Sequence, residues 1–288
     1  MDKSAVSYQG VSLSYDEGIT WALKDFSATI PQGKITAIIG HTGSGKSSLM
    51  NLTDGLLLPT EGELVVMGHQ LTTATKQTAL NELRHSIGFV FQFPEHQLFA
   101  DTVLADVMFG PLNLGLSSQK AKAAAQTALS ELGIGRPFYE RSPFELSGGQ
   151  QRRVAIAGVL AMKPKLLILD EPTAGLDPDG QQELLALIKK LKRAGLTILL
   201  VTHQMEQVAE LADQVLVLAT GKLVFSGRPR ELFADPLLLA KHHLVEPQAV
   251  TFAHQLTETY PELFDHFPIT LTELADALAE KLRGLNHE

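Results

Sequence analysis

Two glycine-rich runs and a pair of adjacent acids carry the chemistry in this chain. The first run is Gly40, His41, Thr42, Gly43, Ser44, Gly45, Lys46 and Ser47, with Ser48 directly after it. Its form, G-x-x-x-x-G-K-S, is that of a phosphate-binding loop. Glycines let backbone N–H groups turn inward without a Cβ in the way, and a following helix N-terminus adds positive potential. In such a loop Lys46 reaches the β- and γ-phosphates of a nucleotide, and the Ser47 hydroxyl ligates Mg²⁺. The acids are Asp170 and Glu171, which end the apolar run Leu166, Leu167, Ile168, Leu169 and precede Pro172. Asp170 at the strand end can hold Mg²⁺, and Glu171 can act as general base toward an attacking water. Without the loop upstream, two acids in that position would read equally well as helix caps. The second glycine run is Leu146, Ser147, Gly148, Gly149 and Gln150, ahead of the basic helical run from Gln151. It makes another anion-binding turn. One nucleotide needs only one such turn, so the second suggests use in trans.

These residues need a scaffold, and the apolar pattern supplies one. Residues 6–15 and 21–30 alternate apolar and polar side chains, as half-buried strands do, around a turn at Asp16, Glu17 and Gly18. Residues 34–39 form a strand that runs into the first glycine loop, and a helix follows from Lys46. Strand, loop and helix in that order are the context the phosphate-loop pattern requires. Residues 64–67 and 87–91 read as further strands, and residues 102–160 as helical. Ala121, Ala124, Ala128, Leu129 and Leu132 fall on one face of a helix capped at Ser117 or Ser118. Strands return at 166–169 and 198–201, with a helix over 181–193 between them. That βαβ order predicts a parallel sheet with a helical insertion. Residues 215–218 and 223–225 flank a turn at Thr220 and Gly221 and predict a closing hairpin.

The tail is different. Pro229, Pro236, Pro247, Pro261 and Pro268 cut it into short pieces. In the last piece Leu271, Leu274, Ala275, Leu278 and Leu282 share a helical face, and Thr270 with Glu273 predicts a capping box. That stripe could pair with a second copy or pack on its own domain. The expected division is a nucleotide-binding domain over 1–226, with a helical subdomain at about 93–160, and a small helical extension over 227–288.

The bulk properties set limits. The chain has 288 residues, is 44% hydrophobic, and carries a formal net charge of −8. An acidic chain is a poor electrostatic partner for nucleic acid. With no cysteine, disulfides and thiolate metal sites are excluded. The N-terminus shows no apolar signal region, and no apolar run approaches the roughly 18 residues needed to span a bilayer. Any membrane role is expected to run through a partner chain.

Both glycine runs together with Asp170 and Glu171 resemble the ATPase subunits of ABC transporters. The resemblance implies an α/β, P-loop NTPase fold with a RecA-like core, an N-terminal antiparallel β subdomain and a helical subdomain. It implies ATP and Mg²⁺, with two ATP molecules sandwiched between two chains. Tyr15, residues 40–48 and Lys46 would then serve this chain's own nucleotide. Ser147, Gly148, Gly149 and Gln150 would serve the opposite one. Gln92 stands where the family senses Mg²⁺ and the γ-phosphate, and His203 where it contacts the γ-phosphate. Asp177 matches a loop that crosses the dimer interface. Each also has a plainer reading: a structural strand-end histidine, a helix N-cap at Asp177 before Pro178, a core tyrosine at Tyr15. Sustained heptads, which mark the long arm of ABC-type repair and chromosome proteins, are absent from the insertion.

Phe91, Gln92, Phe93, Pro94, Glu95, His96, Gln97, Leu98 and Phe99 form an unusually apolar stretch. Phe91, Phe93, Pro94, Leu98 and Phe99 could receive a short helix from a membrane subunit, or bury themselves against the insertion. The stretch is similar to that of energy-coupling factor (ECF) transporter ATPases, in particular the A-prime type, and Glu246, Pro247 and Gln248 fit that subclass. The family implies a heterodimer with a second, similar ATPase on the cytoplasmic face of the cell membrane. It also implies a transmembrane coupling subunit and a membrane substrate-binding subunit, with a vitamin or transition-metal ion as cargo. The competing expectations are a soluble ABC ATPase without a membrane partner, and a nucleotide-gated clamp that hydrolyses little.

Overall fold

The computed structural model describes residues 3–285. The chain opens with β1 (Ser4–Leu13), β2 (Leu23–Pro31) and β3 (Ile35–Ile39), then α1 (Lys46–Thr53), β4 (Glu61–Val66), β5 (His69–Leu71), α2 (Gln77–Arg84) and β6 (Ile87–Val90). The helical insertion follows with α3 (Val103–Asn113), α4 (Ser118–Glu131) and α5 (Gly148–Leu160). The core resumes with β7 (Leu166–Asp170), α6 (Pro178–Arg193), β8 (Thr197–Val201), α7 (Met205–Leu211), β9 (Gln214–Ala219) and β10 (Lys222–Gly227). The extension contains α8 (Pro229–Phe233), α9 (Pro236–Lys241), α10 (Gln248–Thr259) and α11 (Leu271–Leu285).

The strands sort into two sheets. An antiparallel sheet has the order β2-β1-β4-β5, and a second, mostly parallel sheet has the order β10-β9-β3-β8-β7-β6. The parallel strands are continuous apolar runs because both of their faces are covered. Leu166, Ile168, Leu199, Val201 and Leu216 pack toward the antiparallel sheet and Leu49 of α1. Their neighbours Leu167, Leu169, Ile198 and Leu200 pack the other way, against Val154 and Ala157 of α5 and Ile188 of α6. One strand thus feeds two cores, as a period-2 element between two layers must.

Local chemistry sets the helix limits. The Asp177 carboxylate accepts from the Gly180 N–H at 2.8 Å, and Pro178 fits the first helical position, so α6 starts earlier than the apolar period alone predicts. Lys190, Lys192 and Arg193 close it at the negative end of the helix dipole. On α4 the buried stripe is Ala121, Ala125, Ala128 and Leu129, so Ala125 takes the place predicted for Ala124. Ser117 stands at the N-cap of α4, but its side chain makes no capping bond.

The extension packs through α8, α9 and α10, which place Leu232, Phe233, Leu239 and Val250 against Ala37, Ile39, Val215 and Val217. On α11, Leu274 is buried with Ala249 and Ala253, and Leu278 packs beside them. Leu271 and Leu282 are exposed, so the predicted stripe is split between this chain's own core and the surface. Glu273 accepts from Ile269 N–H rather than from Thr270 N–H, so only the forward half of the predicted capping box forms.

Candidate functional site

Parallel strands deliver their carboxyl ends to one edge of a sheet. In the order β3-β8-β7-β6, that edge receives Gly40 just past β3, His203 two residues past β8, Asp170 ending β7, and Gln92 two residues past β6. The residues predicted to bind nucleotide and metal therefore share one edge of the sheet because of strand order, although the sequence scatters them.

The phosphate-type loop is held by its own chain. Gly40 has φ +146°, and a Cβ on it would lie 2.2 Å from the Leu218 carbonyl oxygen. Gly45 has φ +104°, and its Cβ would lie 2.7 Å from the Ala22 carbonyl. Lys46 Nζ donates to Gly40 O (2.7 Å) and His41 O (2.9 Å). Burial pulls its pKa down, opposed by the charges of Glu171 and Asp170. Ser44 is fully buried, and its Oγ has no hydrogen-bond partner among the described residues. His41, Thr42, Gly43 and Ser47 lie exposed around it, and Ser48 is buried in α1. Positive-φ glycines, a cationic amine and an orphan hydroxyl at a helix N-terminus fit an oxyanion.

The alternation over residues 6–15 predicts a strand through Tyr15, but β1 stops at Leu13. Ser14 Oγ accepts from the N–H groups of Asp16 and Gly18, and Asp16 accepts from Thr20 N–H at 2.7 Å, which draws the chain out of the ladder. Tyr15 is 64% exposed, and its hydroxyl lies 3.0 Å from Ser48 Oγ at the start of α1. It is a surface ring beside the loop, not a core residue.

Glu171 adopts φ +46°, a left-handed conformation that is strained for a glutamate. Its N–H donates to Val201 O (2.9 Å), pinning it to β8. Its Oε1 lies 2.8 Å from His203 Nδ1, while Oε2 is buried without a partner among the described residues. His203 itself is exposed. Burial raises the Asp170 pKa and Glu171 raises it further, with Lys46 opposing. Ser47, Gln92 and Asp170 offer a hydroxyl, an amide and a carboxylate, hard oxygen donors. The described residues contain no cluster of three or more His, Cys, Asp or Glu that could cage a metal. Few protein oxygens beside a phosphate loop fit Mg²⁺, which keeps waters and phosphate oxygens as its other ligands.

The second glycine turn sits elsewhere. α5 packs against β6, the edge strand, and under the face that β7 and β8 turn toward the insertion. Ser147 caps the helix: its Oγ accepts from Gln150 N–H, and its own N–H donates to Gln150 Oε1 (3.1 Å). Gly148 and Gly149 are exposed, and a Cβ on either would meet nothing within 4 Å.

The sequence model of the ABC transporter family matches residues 23–174, which span the first glycine loop, the second glycine turn and Asp170–Glu171. The chain belongs to the ABC transporter family. It is 49% identical over 264 residues to an energy-coupling factor transporter ATP-binding protein, EcfA2, of Ligilactobacillus salivarius, with 91% of each chain covered. It is 45% identical over 282 residues to EcfA2 of Lactobacillus johnsonii, with 97% of each covered. Among solved structures, cbiO1 of Clostridium perfringens, part of the ABC transporter complex cbiONQ, superposes with a TM-score of 0.75 at 36% identity. That match covers 88% of this chain and 100% of cbiO1. The ATP-binding cassette MJ0796, a post-hydrolysis dimer bound to ADP and Pi, superposes with a TM-score of 0.68 at 32% identity, covering 78% of this chain and 98% of that one. The chain has the P-loop NTPase fold of an ABC cassette and is an ATP-hydrolysing subunit of an ECF-type importer that works with membrane components. No helix among the described residues is long and apolar enough to cross a membrane.

Two features of this ABC ATPase escape a reading of the sequence. The first is Arg152, which sequence reading takes only as part of a basic run. It is 3% exposed and forks onto Glu95 through Nε (2.9 Å) and Nη2 (2.7 Å), while Nη1 donates to Pro172 O and Ala174 O. It therefore ties the helix behind the second glycine turn to the stretch after Gln92 and to the segment after Glu171. Burial is the largest single influence on the Glu95 carboxylate and raises its pKa, but the Arg152 hydrogen bonds, a backbone N–H and the charges of Arg152 and His96 together hold it below normal. A signal existed: Arg152 lies one helical turn from buried Ile156, and an arginine on an apolar face needs an acid.

The second concerns the apolar stretch. Phe91, Phe93 and Phe99 are exposed, whereas Pro94 and Leu98 are buried in this chain's own core and support the surface from beneath. Phe99 meets Phe109 edge-on at 4.9 Å, and Phe109 and Leu112 of α3 are themselves exposed. Sequence reading places neither α3 residue on the patch.

Proposed function

We propose that this subunit binds ATP with Mg²⁺ on residues 40–48 and hydrolyses it only when a second ATPase subunit closes over the site. The Tyr15 ring stacks on the adenine, the loop N–H groups and Lys46 hold the phosphates, and Ser47, Gln92 and Asp170 hold the metal. Bound Mg²⁺ neutralises charge on the transferring phosphoryl group. Glu171 takes the proton of the attacking water, and His203 orients its carboxylate and faces the γ-phosphate. Lys46 stabilises the charge that develops. Ser147, Gly148, Gly149 and Gln150 close over the partner's ATP, with Asp177 at the interface.

The observation that carries this reading is the divided Glu171 carboxylate. One oxygen is held by His203, and the other is buried and unpaired among the described residues, at the strand edge that the phosphate loop shares. An unsatisfied buried acceptor is costly unless a ligand or water engages it. Glu171→Gln is expected to leave ATP affinity intact and to lower turnover of the assembled ATPase by about 10³-fold. Wild-type turnover in that variant removes Glu171 from the reaction.

The partner is a second, similar ATPase, giving a heterodimer on the cytoplasmic face of the membrane. The exposed rings of Phe91, Phe93 and Phe99, extended by Phe109, receive a helix of a transmembrane coupling subunit, which works with a separate membrane substrate-binding subunit. The cargo is a vitamin or another micronutrient. Residues 1–226 form the nucleotide-binding domain and 227–288 an extension. Affinity purification from detergent-solubilised membranes tests the assembly: recovery of this chain without any membrane subunit would sink it.

A further inference from the structure

We infer that Gln207 is a positioning residue for the hydrolytic pair, its carboxamide fixing the distance between Glu171 and His203. The inference rests on the reading of those two residues given above. The Glu171 backbone is tied to β8 and its carboxylate to His203, but no other side chain holds either group among the described residues. Glu171 sits in a strained backbone conformation, and the His203 side chain is 71% exposed. What brackets them is a buried polar network. Gln207 of α7 is 2% exposed, and its Nε2 donates to Thr173 Oγ1 (2.6 Å) and Gln204 Oε1 (2.8 Å). Its Oε1 accepts from Thr202 Oγ1 at 3.2 Å. Gln204 repeats the bridge, its Nε2 donating to Thr173 Oγ1 (3.3 Å) and its N–H to Thr202 Oγ1 (3.1 Å). Thr173 and Thr202 are fully buried.

Thr173 follows Glu171 by two residues, and Thr202 immediately precedes His203. A carboxamide offers a donor and an acceptor in one plane, so one side chain can fasten both segments at once. A satisfied buried network of this kind is stiff. It lies outside the residues that touch ATP, so it acts on the reaction only through geometry.

The test measures steady-state ATPase of the assembled complex carrying Gln207→Leu, Thr173→Val or Thr173→Ser, beside Glu171→Gln from the same preparation. Gln207→Leu and Thr173→Val are expected to lower kcat about tenfold with KM for ATP within twofold of wild type, because misplacement of reacting groups costs rate and not binding. Thr173→Ser, which keeps the hydroxyl, is expected to restore wild-type kcat. Wild-type kcat in both disruptive variants beside an inactive Glu171→Gln overturns the inference and spares the base assignment. A KM that rises in step with the loss of kcat also overturns it, as a general disturbance would act that way. A fully active Glu171→Gln overturns the underlying reading instead. If Gln207→Leu does not fold, the isosteric Thr173→Val and its serine counterpart decide the matter alone.

Discussion

Gly40 and Gly149 each belong to a glycine-rich turn that opens a helix, yet their neighbourhoods are opposite. Gly40 is hemmed in: its φ of +146° is closed to other residues, and a Cβ would strike Leu218 O at 2.2 Å. Gly149 is exposed, has no left-handed φ, and a Cβ there would touch nothing within 4 Å. The fold requires glycine at the first place. At the second it makes no such demand, and glycine inside a helix even costs about 1 kcal/mol relative to alanine. A residue that weakens its own helix and serves nothing within its own chain points outward, to something that must approach the backbone closely. The sandwiched nucleotide of a partner subunit meets that description.

Substitution separates the two cases. Gly40→Ala carries the largest expected effect, on the order of 4 kcal/mol, because the new Cβ meets backbone that cannot rotate away. The isolated subunit should unfold at much lower denaturant concentration, which a chemical melt reads directly. A small loss there would mean the loop relaxes, and the contrast with Gly149 would dissolve.

Arg152→Met comes next, at about 3 kcal/mol, since it strands Glu95 in a site from which the guanidinium has been removed. Adding Glu95→Gln should recover part of that loss. The pair ties the second turn to its own chain at a distance, through the helix behind it. Equal stabilities for the single and double variants would show that the charge on Glu95 is not the problem.

Gly149→Ala is expected to leave the melting temperature of the isolated subunit unchanged or raised. In the assembled ATPase it should lower turnover about 100-fold, the usual cost of spoiling a preorganised donor site for phosphate charge. Unimpaired hydrolysis by the assembled complex would mean the turn faces no nucleotide.

The same comparison explains what could be read from sequence. Residues 40–47 are local: strand, glycine spacing, lysine and helix follow one another, so the pattern carries its own context. Asp170 and Glu171 are legible for the same reason, as the end of a buried strand. Tyr15 is misplaced because alternation continues past the point where Ser14 and Asp16 bond to backbone N–H groups and break the ladder. β5, with three residues, is too short to leave a period in the sequence, and α2 offers only the single pair Leu80 and Leu83 to mark its buried face. Arg152 and Gln207 are hidden differently. Their partners Glu95 and Thr173 lie far away in the chain, and only folding makes a basic run or a plain glutamine into a buried tie.

The two helices also end differently, and this gives the smallest predicted effect. α5 closes at Ala161, a neutral residue, but α1 closes at Asp54. A carboxylate at a helix C-terminus faces the negative end of the dipole. Burial pushes the Asp54 pKa up to about 6, with Arg84 pulling the other way. The folded state thus binds the proton more tightly than the unfolded state, whose value is near 4. In that window stability falls as pH rises, and above about 6 the full penalty of burying the charge is present. Asp54→Asn should accordingly raise the melting temperature of the subunit by a few degrees at pH 7.5, with the gain shrinking toward zero near pH 4. Melting curves of both proteins across that range test the sign. A gain of equal size at both ends would assign the effect to packing or helix capping rather than to ionisation.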